Sequence, residues 1–278
     1  MSSEFEAGVI QELATGVRRL VAPNPSMMTG PGTNTYLLGH DEIGVIDPGP
    51  AIDLHIERIQ ETAGARIAWI LVTHTHPDHS PAAAKLAAAT GAELLGHPVP
   101  HGRHQDQTFK PGRIPQDGDV FEAADFSLQI VETPGHASNH LCYLHTGLNW
   151  LFTGDHIING STVVIDPPDG NMGDYIRSLE RLRDIQISAI APGHGALIDD
   201  PYEVIEWHIK HRLERESKVV AALKGAPNST SRELVAEVYK DVDEKLHELA
   251  EHSLLAHLIR LEEECRATMS RGRWKLNN

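Results

Sequence analysis

The stretch Thr73-His74-Thr75-His76-Pro77-Asp78-His79-Ser80 places three imidazoles and a carboxylate within eight residues, directly after the apolar run "AWILV". On a strand alternate side chains share a face, so His74 and His76 can converge on one ion as the strand ends. The following turn then brings in Asp78 and His79, more ligand groups than one structural zinc takes from a single segment. Three later positions repeat the theme: His136 in "TPGHAS", Asp155 in "LFTGDHI" and His194 in "APGHGA". Each follows a strand-like run and sits beside glycine, which lets the backbone turn sharply at a strand's carboxyl end, where sites on α/β folds gather. Two divalent ions about 3.5–4 Å apart, sharing a carboxylate and an oxygen from water, supply hydroxide near neutral pH and polarise a carbonyl or phosphoryl oxygen. Histidine and aspartate without cysteine suit two zinc ions, with iron or manganese as alternatives.

Those side chains need a scaffold, and the flanking patterns supply one. The runs "NTYLL", "IGVID", "IAWILV", "AELLG", "FSLQIVET", "HLCYLHT", "NWLFTGD" and "ISAIAPG" predict strands. "DLHIERIQETAG", with helical spacing of Leu54, Ile56 and Ile59 and a closing Gly64, predicts a helix, as does "GDYIRSLERLRD". "SPAAAKLAAATGA" predicts another, with Ser80 as N-cap, Pro81 in its first position and Gly91 beyond its end. The histidine cluster is therefore a strand-to-helix loop in a mixed α/β domain, expected over residues 1–199. From about residue 200 the texture becomes helical. "PYEVIEWHIKHRLERESKVVAALKG" is one helix, Thr230-x-x-Glu233 is a capping box, and a third helix precedes a hairpin turning near Gly272. Residues 200–278 thus read as a winged-helix-like module, or as a helical appendage that forms a homodimer surface.

Composition excludes several classes. With 278 residues, 40% hydrophobic and 23% charged, the chain suits a folded protein. No basic start leads into an apolar core, and no run nears the ~20 apolar residues of a membrane helix, so a soluble cytoplasmic protein without a membrane role is expected. Cys142 and Cys265 lie far apart, against a disulfide framework or a cysteine-rich metal site. The net charge of −15 is unevenly shared: residues 1–200 hold 11 Lys and Arg against 25 Asp and Glu, residues 201–278 hold 13 against 14. A broad cationic face for nucleic acid is not expected on the larger part, although local metal charge would still attract an anionic substrate.

The ordered set His-x-His-x-Asp-His, PGH, GD and PGH resembles the metallo-β-lactamase superfamily over about residues 30–200. The resemblance implies a four-layer αββα sandwich, with His74, His76 and His136 on one metal, Asp78, His79 and His194 on the other, Asp155 bridging them, and Asp47 of "VIDPGP" supporting the ligand loop from behind. It implies catalytic roles for Asp78 and Asp155. "NMGDYIRSLERL", "HELAEHSLLAHLIRLEEE" and the terminal "WK" resemble the β-lactamase-like branch with a C-terminal winged helix, whose mitochondrial member is a single-strand-specific endoribonuclease. Antibiotic-cleaving members of one major class carry Cys where this chain has Asp155, and oxygen-reducing di-iron members carry Glu where it has His76.

A binuclear hydrolase using a metal-bridging hydroxide is thus expected, with single-stranded RNA as the substrate the resemblance favours. The alternative is a thioester, ester or lactone of a small acidic metabolite, as in glyoxalase II, with weak β-lactamase activity alongside. A third reading is a nucleic-acid-binding regulator. Asn34, Ser161, Thr162 and Tyr175 are candidates to touch substrate, and His140 is a candidate proton donor. Arg266, Arg271, Arg273 and Lys275 around Trp274 form a candidate nucleic-acid grip. His101 and His104 read as solvated.

Overall fold

The computed structural model describes residues 5–100 and 104–277, so His101 lies outside the described residues. Two compact units divide the chain: Met1–Thr133, Asn139–Ser161 and Gln186–Pro201 form the first, and Pro134–Ser138, Thr162–Ile185 and Tyr202–Asn278 the second.

The first unit is built on two sheets. One holds β1 (Ile10–Ala14), β2 (Val17–Val21), β3 (Asn34–Leu38), β4 (Glu42–Ile46), β5 (Arg66–Leu71) and β6 (Glu93–Leu95), in that order. Its first four strands are antiparallel, whereas β4, β5 and β6 run parallel. Parallel neighbours need a crossover, which α1 (Asp53–Ala63) and α2 (Ala82–Thr90) provide. The other sheet has the order β11 (Ala189–Pro192), β10 (Trp150–Gly154), β9 (Leu141–His145), β8 (Ser127–Glu132), β7 (Val120–Glu122). The helices bury Ile56, Ile59, Ala83 and Leu86 against Val45 and Ile70 of the first sheet. On its other face Tyr36, Leu38, Ile46 and Leu71 meet Leu128, Ile130, Tyr143 and Phe152 of the second sheet. Tyr36 lies edge-on to Phe152 at 5.0 Å. Covered on both faces, β3 is buried along its whole length, its polar Asn34 and Thr35 included.

Strands β1, β2 and β7 were not among the expected ones; β1 alternates exposed and half-buried residues and carries little apolar signal. Ser80 also departs from expectation. Helix α2 starts without a side-chain cap, because the Ser80 hydroxyl donates instead to Asp106 Oδ2 at 2.7 Å.

The second unit holds α3 (Met172–Leu182), α4 (Pro201–Gly225), α5 (Ser231–Val238), α6 (His247–Glu263) and the hairpin β12 (Ala267–Ser270) with β13 (Arg273–Leu276). The capping box at Thr230 and Glu233 forms as its spacing predicts. Positive φ at Arg271 and Gly272 turns the hairpin. Trp274 is only 4% exposed, packed with Val219, Leu234, Leu258 and Leu261. It belongs to the core of the module and not to a base-stacking surface, the apolar ring being worth more buried among those side chains than on water. Side chains tie α3 into the same unit: Arg212 lies over the Tyr175 ring at 5.1 Å, and Ser178 donates to the Pro134 carbonyl at 2.8 Å. None of the described helices is long and apolar enough to cross a membrane.

Candidate metal centre

Strand β5 ends at Leu71, and the segment leaving it is fixed in place before any ligand appears. The buried Tyr143 hydroxyl, reaching from the second sheet, donates to the Val72 carbonyl at 2.7 Å, and Leu141 N–H donates to the Thr73 carbonyl at 2.7 Å. Asp47, just past β4, sits at φ 46°, a left-handed conformation that aspartate tolerates better than most residues. There its carboxylate accepts Thr73 N–H at 2.8 Å, the Thr73 hydroxyl at 2.7 Å and His79 Nδ1–H at 2.9 Å. Removing the carboxylate would leave buried donors unpaired at about 1–3 kcal/mol each. The ligand turn is held from its far side too. Asp106, buried, donates its N–H to the Thr75 carbonyl at 2.7 Å while accepting the Ser80 hydroxyl, and Asn139 Nδ2 donates to Thr75 Oγ1 at 2.9 Å.

With Nδ1 donating to Asp47, His79 turns Nε2 toward Asp155 Oδ1 at 3.4 Å and Asp78 Oδ2 at 3.5 Å. His194 donates Nδ1–H to the Gly32 carbonyl at 3.3 Å and turns Nε2 to Asp155 Oδ1 at 3.2 Å and Asp78 Oδ2 at 3.3 Å. One ligand atom from each of Asp78, His79, Asp155 and His194 lies within 4.8 Å of the others. Burial opposes charge on His194, yet the Asp155 and Asp78 carboxylates beside it raise it to about 9. His79 is likewise disfavoured by burial, and Asp78, Asp155 and Asp47 raise it well above the usual imidazole range. Burial pushes Asp155 up, but His194 and His79 hold it well below the usual carboxylate range. Asp78, raised by burial, is lowered by His79 and His194.

Do these residues fit a divalent cation? His79 Nε2 is buried and points at two carboxylates at 3.4 and 3.5 Å, an arrangement that suits a cation between them once the imidazole gives up its proton. Two carboxylates and two neutral imidazoles carry two negative charges, which one divalent ion neutralises. The donor set fits zinc, iron or manganese, and no cysteine takes part among the described residues. Cys142 is buried elsewhere, within 3.2 Å of Thr133 Oγ1.

His74 and His76 lie beside this group. His74 Nε2 is 3.0 Å from His76 Nδ1, and the His74 ring is 4.2 Å from that of His79. His136 lies on a segment of the second unit, where its Nδ1–H donates to the Val164 carbonyl at 2.8 Å, leaving Nε2 as the ligand-type nitrogen. His140 is buried and stacked on the His74 ring at 5.0 Å, with Nδ1 at 2.9 Å from Thr133 Oγ1. Asn34 is fully buried against the loop that carries His194. Ser161 is exposed in the first unit, Thr162 half-buried in the second, and Tyr175 fully buried in α3. His104 is exposed, as expected. Asp106, Asn139 and Tyr143 were not anticipated; their partners are distant in sequence, and no local motif announces them.

Glycine marks how tightly the centre is packed. A Cβ on Gly193 would lie 2.8 Å from His79 Cε1 and 2.9 Å from Asp155 Oδ1. Beneath His136, a Cβ on Gly135 would fall 2.3 Å from Tyr175 Cα.

Comparison with known proteins identifies the family. The family model of the metallo-beta-lactamase superfamily matches residues 28–194, and that of the beta-lactamase associated winged helix domain matches residues 230–274. A Drosophila melanogaster protein named beta-lactamase-like protein 2 homolog is 32% identical over 95% of this chain and 93% of its own length. An atrochrysone carboxyl ACP thioesterase of Aspergillus chevalieri is 32% identical over 87% of this chain and 79% of its own. The crystal structure of a metallo-beta-lactamase family protein from Thermus thermophilus superposes with a TM-score of 0.80 at 22% identity, covering 96% of this chain and 100% of that one. The chain belongs to the metallo-beta-lactamase superfamily, a family of hydrolases, and carries the winged helix domain associated with it.

Proposed function

We propose that this hydrolase cleaves acyl thioesters and related esters of small metabolites, using two divalent ions, zinc in the first instance and iron or manganese as alternatives. Asp78, His79 and His194 would hold one ion together with Asp155, and His74 and His76 would serve the other. The observation that carries the reading is the buried His79 and His194 pair facing two carboxylates, a donor set built for a cation. When bound, such ions lower the pKa of a water and polarise the substrate's acyl or phosphoryl oxygen. Asp155, 14% exposed, holds the two histidine nitrogens in register. Asp78, at 27% the more open carboxylate, would orient the attacking water and accept its proton.

Three observations favour an acyl substrate over RNA. A relative sharing 32% identity is named a thioesterase. Residues 1–200 carry the acidity, which repels a polyanion. The wing cations are engaged at home: Arg273 pairs with Glu233 at 3.0 Å, and Arg266 with Glu216 and Glu264 at 2.7 Å each, while Trp274 is buried. Cleavage of single-stranded RNA is the second reading, supported by the winged helix domain and by the more distal Arg271 and Lys275. The intact ligand set weighs against a purely nucleic-acid-binding regulator.

The test measures a small acyl thioester and a fluorogenic single-stranded RNA side by side, with metal-quantified wild type and Asp78→Ala. Thioester turnover is expected, falling by about 10²–10⁴-fold in the variant. RNA cleavage lost in the variant, with an inert thioester, would replace the acyl reading by the nuclease one.

A further inference from the structure

Asn34 opens β3, and one residue takes three of the four carbonyls of the Pro192–Gly195 loop. Its backbone N–H donates to the Gly193 carbonyl at 2.8 Å. Its side-chain Nδ2 donates to the carbonyls of Pro192 and Gly195, each at 2.9 Å, so the two amide hydrogens straddle His194. Thr33, the preceding residue, forms an antiparallel bridge with His194 itself. The Tyr36 hydroxyl adds a second bond to the Pro192 carbonyl at 2.8 Å, and Arg19 Nη1 reaches the Gly195 carbonyl at 3.2 Å.

The side chain is 0% exposed, which removes it from contact with substrate. Its other end is costly: Oδ1 is buried with no hydrogen-bond partner. Flipping the amide would not relieve this, because it would turn an oxygen onto two carbonyl oxygens. A buried acceptor left unmade loses the full desolvation of that group.

We infer that Asn34 is a positioning residue for His194, acting through the backbone on both sides of it to aim Nε2 into the Asp78, His79 and Asp155 group. The inference rests on the metal-centre reading above. It assigns Asn34 a role behind the ligand rather than at the substrate.

The test is zinc affinity by chelator competition on the full-length chain, wild type against Asn34→Ala, with the melting temperature of the metal-free forms measured alongside. Wild type binding no zinc would sink the metal reading and this inference together. Given zinc binding by wild type, Asn34→Ala is expected to weaken the His194 site about 10–100-fold, with turnover recovered by excess zinc, while the metal-free melting temperature falls only slightly because Tyr36 and Arg19 still hold the Pro192 and Gly195 carbonyls. Unchanged zinc affinity with a raised KM alone would overturn the inference in favour of a substrate contact. A lowered metal-free melting temperature with unchanged affinity would overturn it in favour of a structural role. Should Asn34→Ala fail to fold, Tyr36→Phe removes one hydroxyl from the Pro192 carbonyl. A several-fold loss of zinc affinity is then expected, and an unaltered affinity would overturn the idea.

Discussion

A methyl group on Gly193 is the most economical perturbation of the metal centre, because it changes no ligand and no charge. The Cβ of Gly193→Ala would stand 2.8 Å from His79 Cε1, 2.9 Å from Asp155 Oδ1 and 2.9 Å from the Gly154 carbonyl oxygen. Carbon atoms in contact rest near 3.5 Å or beyond, so the His79 ring must retreat by about 0.7 Å. Metal–ligand bonds tolerate about 0.2 Å, so a ring displaced that far no longer serves its ion. Zinc affinity should fall about 10–100-fold, or ~1.4–2.7 kcal/mol, and overpacking should cost the fold a further ~1–3 kcal/mol. Chelator competition reads the first quantity and thermal unfolding of the metal-free chain the second. Gly225→Ala is the matched control: the glycine ends α4, and an added methyl meets nothing within 4 Å. Zinc bound by Gly193→Ala as tightly as by wild type would refute the packing argument and, with it, the placement of His79 and Asp155 around one ion.

Three further outcomes rest on the charges. Because His194 is raised to about 9 and His79 well above the usual range without an ion, zinc must displace protons: affinity should climb with pH toward 9, and calorimetry near pH 7 in buffers of different ionisation heat should show proton release; buffer-independent heats would contradict it. His257, fully buried in α6, is lowered to about 4, chiefly by burial and against the pull of Glu216. The unfolded chain therefore binds its proton first, stability is intact above the ordinary value near 6.5 and is lost as pH falls toward 4, by about 3 kcal/mol, and subtracting the unfolding curve of His257→Leu should isolate that slope; parallel curves would count against it. Arg273→Ala breaks an ion pair whose side chains are 42% and 51% exposed, worth ~0.2–1 kcal/mol, and should leave thioester turnover unchanged; loss of turnover would point to a role for the wing in catalysis.

The parts of the centre that were legible in the sequence are those whose chemistry is local. His74 through His79 announce themselves by residue type and spacing, and Thr230 with Glu233 announces a helix start within a single turn. Asp47 was reachable only through family likeness, since nothing near it in sequence says that Thr73 and His79 will come to its carboxylate. Asn34 and Asp106 illustrate what spacing cannot carry. Asn34 looks like a turn residue at a site mouth, yet its partners Pro192 and Gly195 arrive from the other sheet. Ser80 reads as a helix cap because the cap pattern is local, but a buried carboxylate 26 residues away competes for its hydroxyl and wins. The order of strands within each sheet was likewise beyond reach, because periodicity reports which face is buried and not which strand lies next door.

The bond between Asn34 and Gly195 spans 161 residues of chain. Closing so long a loop is entropically unfavourable, and such distant contacts form late in folding. His194 belongs to the last segment of the first unit, so a chain emerging from a ribosome exposes His74, His76, Asp78 and His79 long before His194 exists. The Asp78 donor set is therefore complete only once the loop after β11 is in place, and an ion held by the early side chains alone would sit in a partial, exchangeable set. Completion of the donor set thus depends on the finished architecture rather than on the first side chains to be made.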